Sequence, residues 1–301
     1  MQQPTLSTPA IPFAWAWWGF DLGDARPCDG TYCHYPIETL PPIPALDGTL
    51  SWLGLPGWPE APGDSPRRRA LHERNSVEAR DKARDLATQA ERLGLRLPDA
   101  FMRVMAAPEL LGRIPECTGC WFSLYDAQLV PYPGSEDGFV VRFLNDQQDC
   151  ILWYLYLTQH GAEAVLAVGD PYPDAPSPYL ERLVRPDEDG PLTEEQRQVV
   201  LGHITACAPS FEAFLYRWWL ESTIAMKLDG FDGEPLTEQE NRYLAHSHRA
   251  FWPQERHTLS LLTPLQYACA VSHVRCPSTS LALTFAYVRW ICSFAVFWNC
   301  L

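Results

Sequence analysis

The segment from Gly138 to Gly169, GFVVRFLNDQQDCILWYLYLTQHGAEAVLAVG, constrains this chain more than any other. Three short stretches rich in Val, Leu, Tyr and Trp, Phe139–Leu144, Ile151–Leu157 and Ala164–Val168, read as strands. Polar or Gly-bearing linkers separate them: Asn145-Asp146-Gln147-Gln148-Asp149 and Thr158-Gln159-His160-Gly161. Linkers this short permit only antiparallel neighbours, because a parallel crossover needs about a dozen residues. The middle strand alternates imperfectly, which predicts a sheet interior covered on both faces. The segment carries no nucleophile elbow, metal box or phosphate loop, so a recognition scaffold is the expectation.

Length and charge narrow the class. At 301 residues the chain holds one large domain, or a medium one with extensions, and 47% hydrophobic content suffices for a core. A formal charge of −14 disfavours nucleic acid, whose phosphates are bound through Lys and Arg. It equally disfavours anionic lipid surfaces. A basic protein partner suits it, although acidity for solubility explains the charge as well. Ten cysteines occur. No Lys or Arg precedes Arg26, and Pro4, Pro9 and Pro12 interrupt any apolar leader, so a reducing, cytoplasmic setting with mostly thiols is expected.

Three zones differ in composition. Residues 1–66 hold twelve of the 28 prolines and a cluster of tryptophans (Trp15, Trp17, Trp18, Trp52, Trp58), predicting an irregular arm partly packed on the domain surface. Residues 67–256 form the folded body. Asn75 with Glu78 predicts a helix N-cap, followed by the apolar stripe Ala79, Ala83, Leu86, Ala90 and Leu93, with Gly94 as the stop. A second helix begins at Leu97-Pro98 and ends before Pro108. An early strand is expected over Trp121–Leu129, and a Pro- and Asp-rich loop over Asp170–Pro191. Later helices start at Ser210 and at Thr237, whose partner three residues on is Glu240. The order defines an α+β fold: an antiparallel meander packed by helices before and after it. Residues 257–301 form an apolar tail without an acidic residue. Within it, 280–301 is long enough to span a bilayer, but Arg289 sits near its middle. A membrane anchor, a packed tail and a frame-shifted or disordered end all fit that pattern.

Candidate chemistry is sparse. Cys117-Thr118-Gly119-Cys120 has the spacing of half a zinc knuckle or of a redox pair, with structural cysteines as the alternative. Cys28 and Cys33 lie in the arm; no His pair at suitable spacing completes a metal set, although a four-cysteine site from the two pairs is geometrically conceivable. Asp146 and Asp149 bracket Gln147-Gln148, where a polar turn explains them as well as acid–base work does. Arg67-Arg68-Arg69 is the one basic run and reads as a solvated linker. Trp153, Tyr154 and Trp218 are candidates for a recognition groove, with the core as their commoner role. Together with Asp146, Gln147, Asp149 and Glu221 they make up the candidate partner-binding set. No cofactor is expected.

Four segments, in order, resemble the SUKH superfamily, the Smi/Knr-like domains found as bacterial immunity proteins. They are Leu97-Pro98-Asp99-Ala100-Phe101; Cys117-Thr118-Gly119-Cys120-Trp121-Phe122; Phe143-Leu144-Asn145-Asp146-Gln147-Gln148 running into Leu152-Trp153-Tyr154-Leu155-Tyr156-Leu157 and Gly161; and Phe211 through Glu221. The resemblance covers residues 76–250, with Ser222 standing where many relatives carry Asn. It implies a sheet-and-helix groove for a protein partner, such as a basic toxin domain, and no catalysis. A scaffolding adaptor, held at a membrane through 280–301, is the competing reading.

Overall fold

The computed structural model describes residues 13–28, 30–53, 66–111, 113–115, 117–124, 127–132, 134–148, 150–169, 180, 193–230 and 234–251, with side chains in the first helix from residue 77 onward and none at 108 and 109. At its centre, β5 (Gly138–Asn145), β6 (Ile151–Thr158) and β7 (Glu163–Gly169) pair antiparallel in chain order, as the short linkers require. All eight residues of β6 are buried. Its alternation sorts side chains between two cores: Leu152, Tyr154 and Tyr156 enter one, while Trp153, Leu155 and Leu157 enter the other.

The complete sheet is mixed rather than antiparallel. Its eight strands run β2-β1-β8-β7-β6-β5-β3, with β4 also on β5. Here β1 is Ala14–Gly19, β2 Cys33–Pro36, β3 Trp121–Phe122, β4 Val130–Pro131 and β8 Ile204–Ala208. β8 pairs antiparallel with β7, and β1 then lies parallel to β8 through Ala14↔Thr205 and Trp15↔Ala206. β2 returns antiparallel along β1 and forms the edge. Of the expected strand over Trp121–Leu129, the described residues show only β3, which pairs with Asn145 and Leu144 at one end of β5; β4 takes the other end.

The N-terminal zone is therefore no surface arm over its described part. Trp17, Phe20 and Leu22 are core residues, and the first strand is built into the sheet. Phe13-Ala14-Trp15-Ala16-Trp17 alternates large and small residues, a strand signal that the surrounding prolines obscured.

Helices cover both faces. α1 (Pro66–Leu93), α2 (Asp99–Met105) and α5 (Phe211–Leu228) contribute to the larger core, which gathers Leu86, Phe101, Phe143, Trp153, Phe214 and Trp218. α4 (Glu194–Gly202) contributes Val200 to the opposite core with Leu180, whose amide donates to the Tyr154 hydroxyl at 3.1 Å. The short α3 spans Pro108–Leu111, and α6 spans Glu238–Phe251.

Local signals explain most helix ends. Asn75 is interior to α1 rather than its cap, because Pro66 presets the first helical φ and the following Arg, Ala and Glu favour helix. The stop falls where expected: Gly94 takes φ +68°, and the Leu95 amide reaches back to the Ala90 carbonyl at 2.8 Å. Ser210 caps α5 through the Ala213 amide. Thr237 and Glu240 form reciprocal capping bonds at α6. Among the described residues, no helix is long and apolar enough to cross a membrane. The tail 257–301 and the loop 170–191, Leu180 apart, lie outside the described residues.

Candidate functional site: a partner-binding corner

The described residues separate the candidate set into core and surface. Trp153, Tyr154 and Glu221 have no exposed area, Trp218 retains 1% and Asp146 3%. These five cannot touch a partner without opening the fold, so their assignment to a binding surface is corrected. A large aromatic residue in a strand or helix covered on both sides is worth more as core. Gln147 is exposed. Asp149 lies outside the described residues.

Glu221 anchors the N-terminal zone. On the inward face of α5, it accepts from Trp17 Nε1 at 2.8 Å, Arg26 Nη2 at 2.5 Å and Tyr243 Oη at 2.5 Å. Burial pushes its carboxyl upward, but Arg26, then Arg217 and the Tyr243 hydroxyl, hold it below the usual carboxylate value. Arg26 also lies over the Tyr35 ring, 4.3 Å from its centroid. Two more α5 side chains repeat the device. Arg217 donates to the Pro41 carbonyl at 2.9 Å. Glu212 accepts from the amides of Gly48 (2.6 Å) and Leu50 (3.2 Å) and from Trp52 Nε1 (3.0 Å). One helix thus holds the described part of the N-terminal zone, from Trp17 to Trp52, through three polar side chains.

The one exposed member, Gln147, lies elsewhere, where β3 meets the β5–β6 linker. Asp146 builds this corner. Its Oδ2 accepts from the amides of Gln148 (3.0 Å) and Cys150 (3.1 Å), and its Oδ1 from Tyr32 Oη (2.9 Å). An acidic residue that closes its own turn is a structural element rather than a general base. Tyr32 Oη also stands 2.8 Å from Cys120 Sγ and 3.0 Å from Thr118 Oγ1. Burial, with the Cys120 thiol and Asp146 carboxylate beside it, raises the phenol far above its ordinary range, so Tyr32 acts as a neutral donor. Its ring sits edge-on to Trp153 at 5.6 Å, and Trp153 in turn meets Trp218 at 4.9 Å.

The Cys117–Cys120 turn lies against this network. Gly119 adopts φ +80°, a conformation that side chains rarely take, and packs against Gln147. Next along the chain is Trp121, 44% exposed on edge strand β3, its carbonyl accepting from Asn145 Nδ2 at 3.3 Å. Phe122 turns inward and stacks on Phe143. Trp121, paired with Asn145 just before the linker, and Gln147, Gln148 and Cys150 within it are the exposed residues of this corner, over the polar base that Asp146 and Tyr32 form. Trp121 is the member that sequence reasoning passed over; its signal was an aromatic pair beginning a very short strand.

Cys28 and Cys33, read from the sequence as thiols of the arm, are joined by a disulfide, their Cα atoms 5.6 Å apart. Cys117, Cys120, Cys150 and Cys207 remain thiols. Among the described residues, no three His, Cys, Asp or Glu side chains are grouped to hold a metal ion. Comparison with protein-family models, curated proteins and solved structures finds no match to this chain.

Proposed function

We propose that this protein works by binding another protein, in the manner of a SUKH-type immunity protein that occupies and neutralises a toxin domain. The observation that carries the reading is Trp121, a large aromatic residue in solvent on an edge strand whose neighbours are fixed by the Asp146–Tyr32 base. Exposed aromatics on rigid supports are typical binding anchors, because they add contact area at little entropic cost. Three of the four motif segments support the same place. Cys117–Phe122 leads into β3, Phe143–Gln148 closes the corner, and Trp218 from α5 packs beneath it against Phe122 and Trp153. The charge of −14 favours a basic partner, such as a nuclease toxin.

Co-expression with toxin domains encoded beside the gene tests the proposal. Growth rescue by the wild type, weakened by Trp121→Ala, is expected. Failure to neutralise any neighbouring toxin refutes the immunity role. An adaptor would use the same corner, and fractionation of full-length and 1–256 chains tests its membrane-held version.

A further inference from the structure

The Cys28–Cys33 disulfide closes a short loop whose last residue before the bond, Tyr32, is the one that reaches Asp146. Both cysteines are partly exposed, so a reductant can approach. Gly30 lies within the loop and Pro27 just before it. With the bond open, Gly30 widens the freedom of the chain leading into Tyr32, while Cys33 stays paired with Gly19 in β2, so the cross-link is the restraint that reaches Tyr32 from its N-terminal side. From Tyr32 a continuous set of contacts leads to the surface. Its hydroxyl meets Asp146, Cys120 and Thr118; Asp146 orders the Gln148 and Cys150 amides; the Thr118–Cys120 turn leads directly into Trp121.

We propose that the Cys28–Cys33 bond is a redox latch on the partner-binding corner, opened by dithiol reductants of the Cys-x-x-Cys class. A reductant thiolate attacks one sulfur to form a mixed disulfide and displaces the other as a thiolate. The second reductant thiol then resolves the mixed disulfide. This chain gains two electrons and two protons, and the reductant leaves as its own disulfide. Reduction loosens Tyr32 and weakens its bond to Asp146 Oδ1, leaving that oxygen the Cys120 thiol at 4.0 Å as its remaining donor, and so loosens the turn that Asp146 closes beside Trp121. The significance for partner binding rests on the function proposed above, but the latch itself is read without a partner.

Amide hydrogen exchange of Gln148 and Cys150 tests it, with dithiothreitol as the probe and peptide-resolved alkylation reporting the state of Cys28 and Cys33. On reduction, exchange at both amides is expected to rise on the order of tenfold, the scale of freeing a short cross-linked loop. The Cys28→Ser, Cys33→Ser double variant should exchange fast with or without dithiothreitol. Tyr32→Phe should do the same with its disulfide intact. Unchanged exchange in fully reduced wild type overturns the inference, as does a dithiothreitol response that persists in the double variant. Alkylation of both cysteines without reductant in air-oxidised protein also overturns it. Should the double variant fail to fold, the wild-type comparison decides alone. Failure of this exchange test leaves toxin neutralisation untouched, and failure to find a toxin leaves the exchange result standing.

Discussion

Replacing Arg26 with Met is expected to destabilise the protein by about 3–5 kcal/mol, the usual cost of stranding one member of a buried ion pair. The side chains of Arg26 and Glu221 are 3% and 0% exposed and 2.5 Å apart. Coulomb's law at that distance, with an effective dielectric near 20, gives about 6–7 kcal/mol of attraction. Desolvation of each ion, several kcal/mol, offsets much of it in the intact pair. Removing Arg26 loses the attraction, while Glu221 stays buried with only Trp17 and Tyr243 as direct donors. Against a total stability of about 5–15 kcal/mol this is a large fraction. The Arg26→Met, Glu221→Leu double variant removes both charges and should recover the cost of the stranded carboxylate, though not that of Trp17 Nε1 and Tyr243 Oη, which lose their acceptor. Urea unfolding followed by tryptophan fluorescence, with unchanged m-values, measures the four corners of the cycle. A loss below about 1 kcal/mol in Arg26→Met, or coupling below about 0.5 kcal/mol, would refute the view that this pair fastens the N-terminal strand.

Acid should weaken the same anchor. Because the fold holds the Glu221 carboxyl below its ordinary value of 4.5, the unfolded chain takes up the proton first. Its contribution is therefore complete above about pH 4.5 and is lost on further acidification; unfolding titrations of wild type against Arg26→Met, Glu221→Leu read the difference. His34 on edge strand β2 behaves as a base whose partial burial lowers its pKa below 6.5. NMR titration should place its midpoint below that of an exposed histidine, and its stabilising effect fades as pH falls through the unfolded value. Trp121→Ala should change stability by no more than about 0.5 kcal/mol in urea titrations while weakening toxin neutralisation. A large stability loss would instead mark Trp121 as structural. Cys207, fully buried with its thiol pushed up to about 12, should resist thiol reagents in the native state, whereas exposed Cys150 reacts first. Peptide-resolved alkylation kinetics check that order.

Where the sequence was legible, the cause was local. The β5–β7 segment has short linkers that leave one pairing geometry, and Ser210, Thr237 and Gly94 act on backbone groups a few residues away. The rest depended on distant partners. β8, Ile204–Ala208, is five small or modestly apolar residues without strand punctuation, and its role follows from the edge of β7 beside it. β1 looked like part of an arm because prolines surround it, while its reason for being a strand lies some 190 residues later. The candidate aromatics fell into the core, the commoner of the two roles open to them, for a related reason. Composition identifies Trp153, Tyr154 and Trp218 as large and adhesive, but only the covering layers decide whether that surface meets solvent or other side chains. Asp146 was recognised as a turn residue; that the turn also depends on Tyr32, 114 positions earlier, has no sequence signature.

The hydrogen bond from Trp17 to Glu221 joins residues 204 positions apart. At translation rates of about 5–20 residues per second, roughly 10–40 s separate the synthesis of these two side chains. During that interval the tryptophan-rich beginning of the chain has neither β8 nor α5 to settle against. It leaves the ribosome well before its partners, so nascent copies present an adhesive, unpaired strand segment to any chaperone or neighbouring chain within reach.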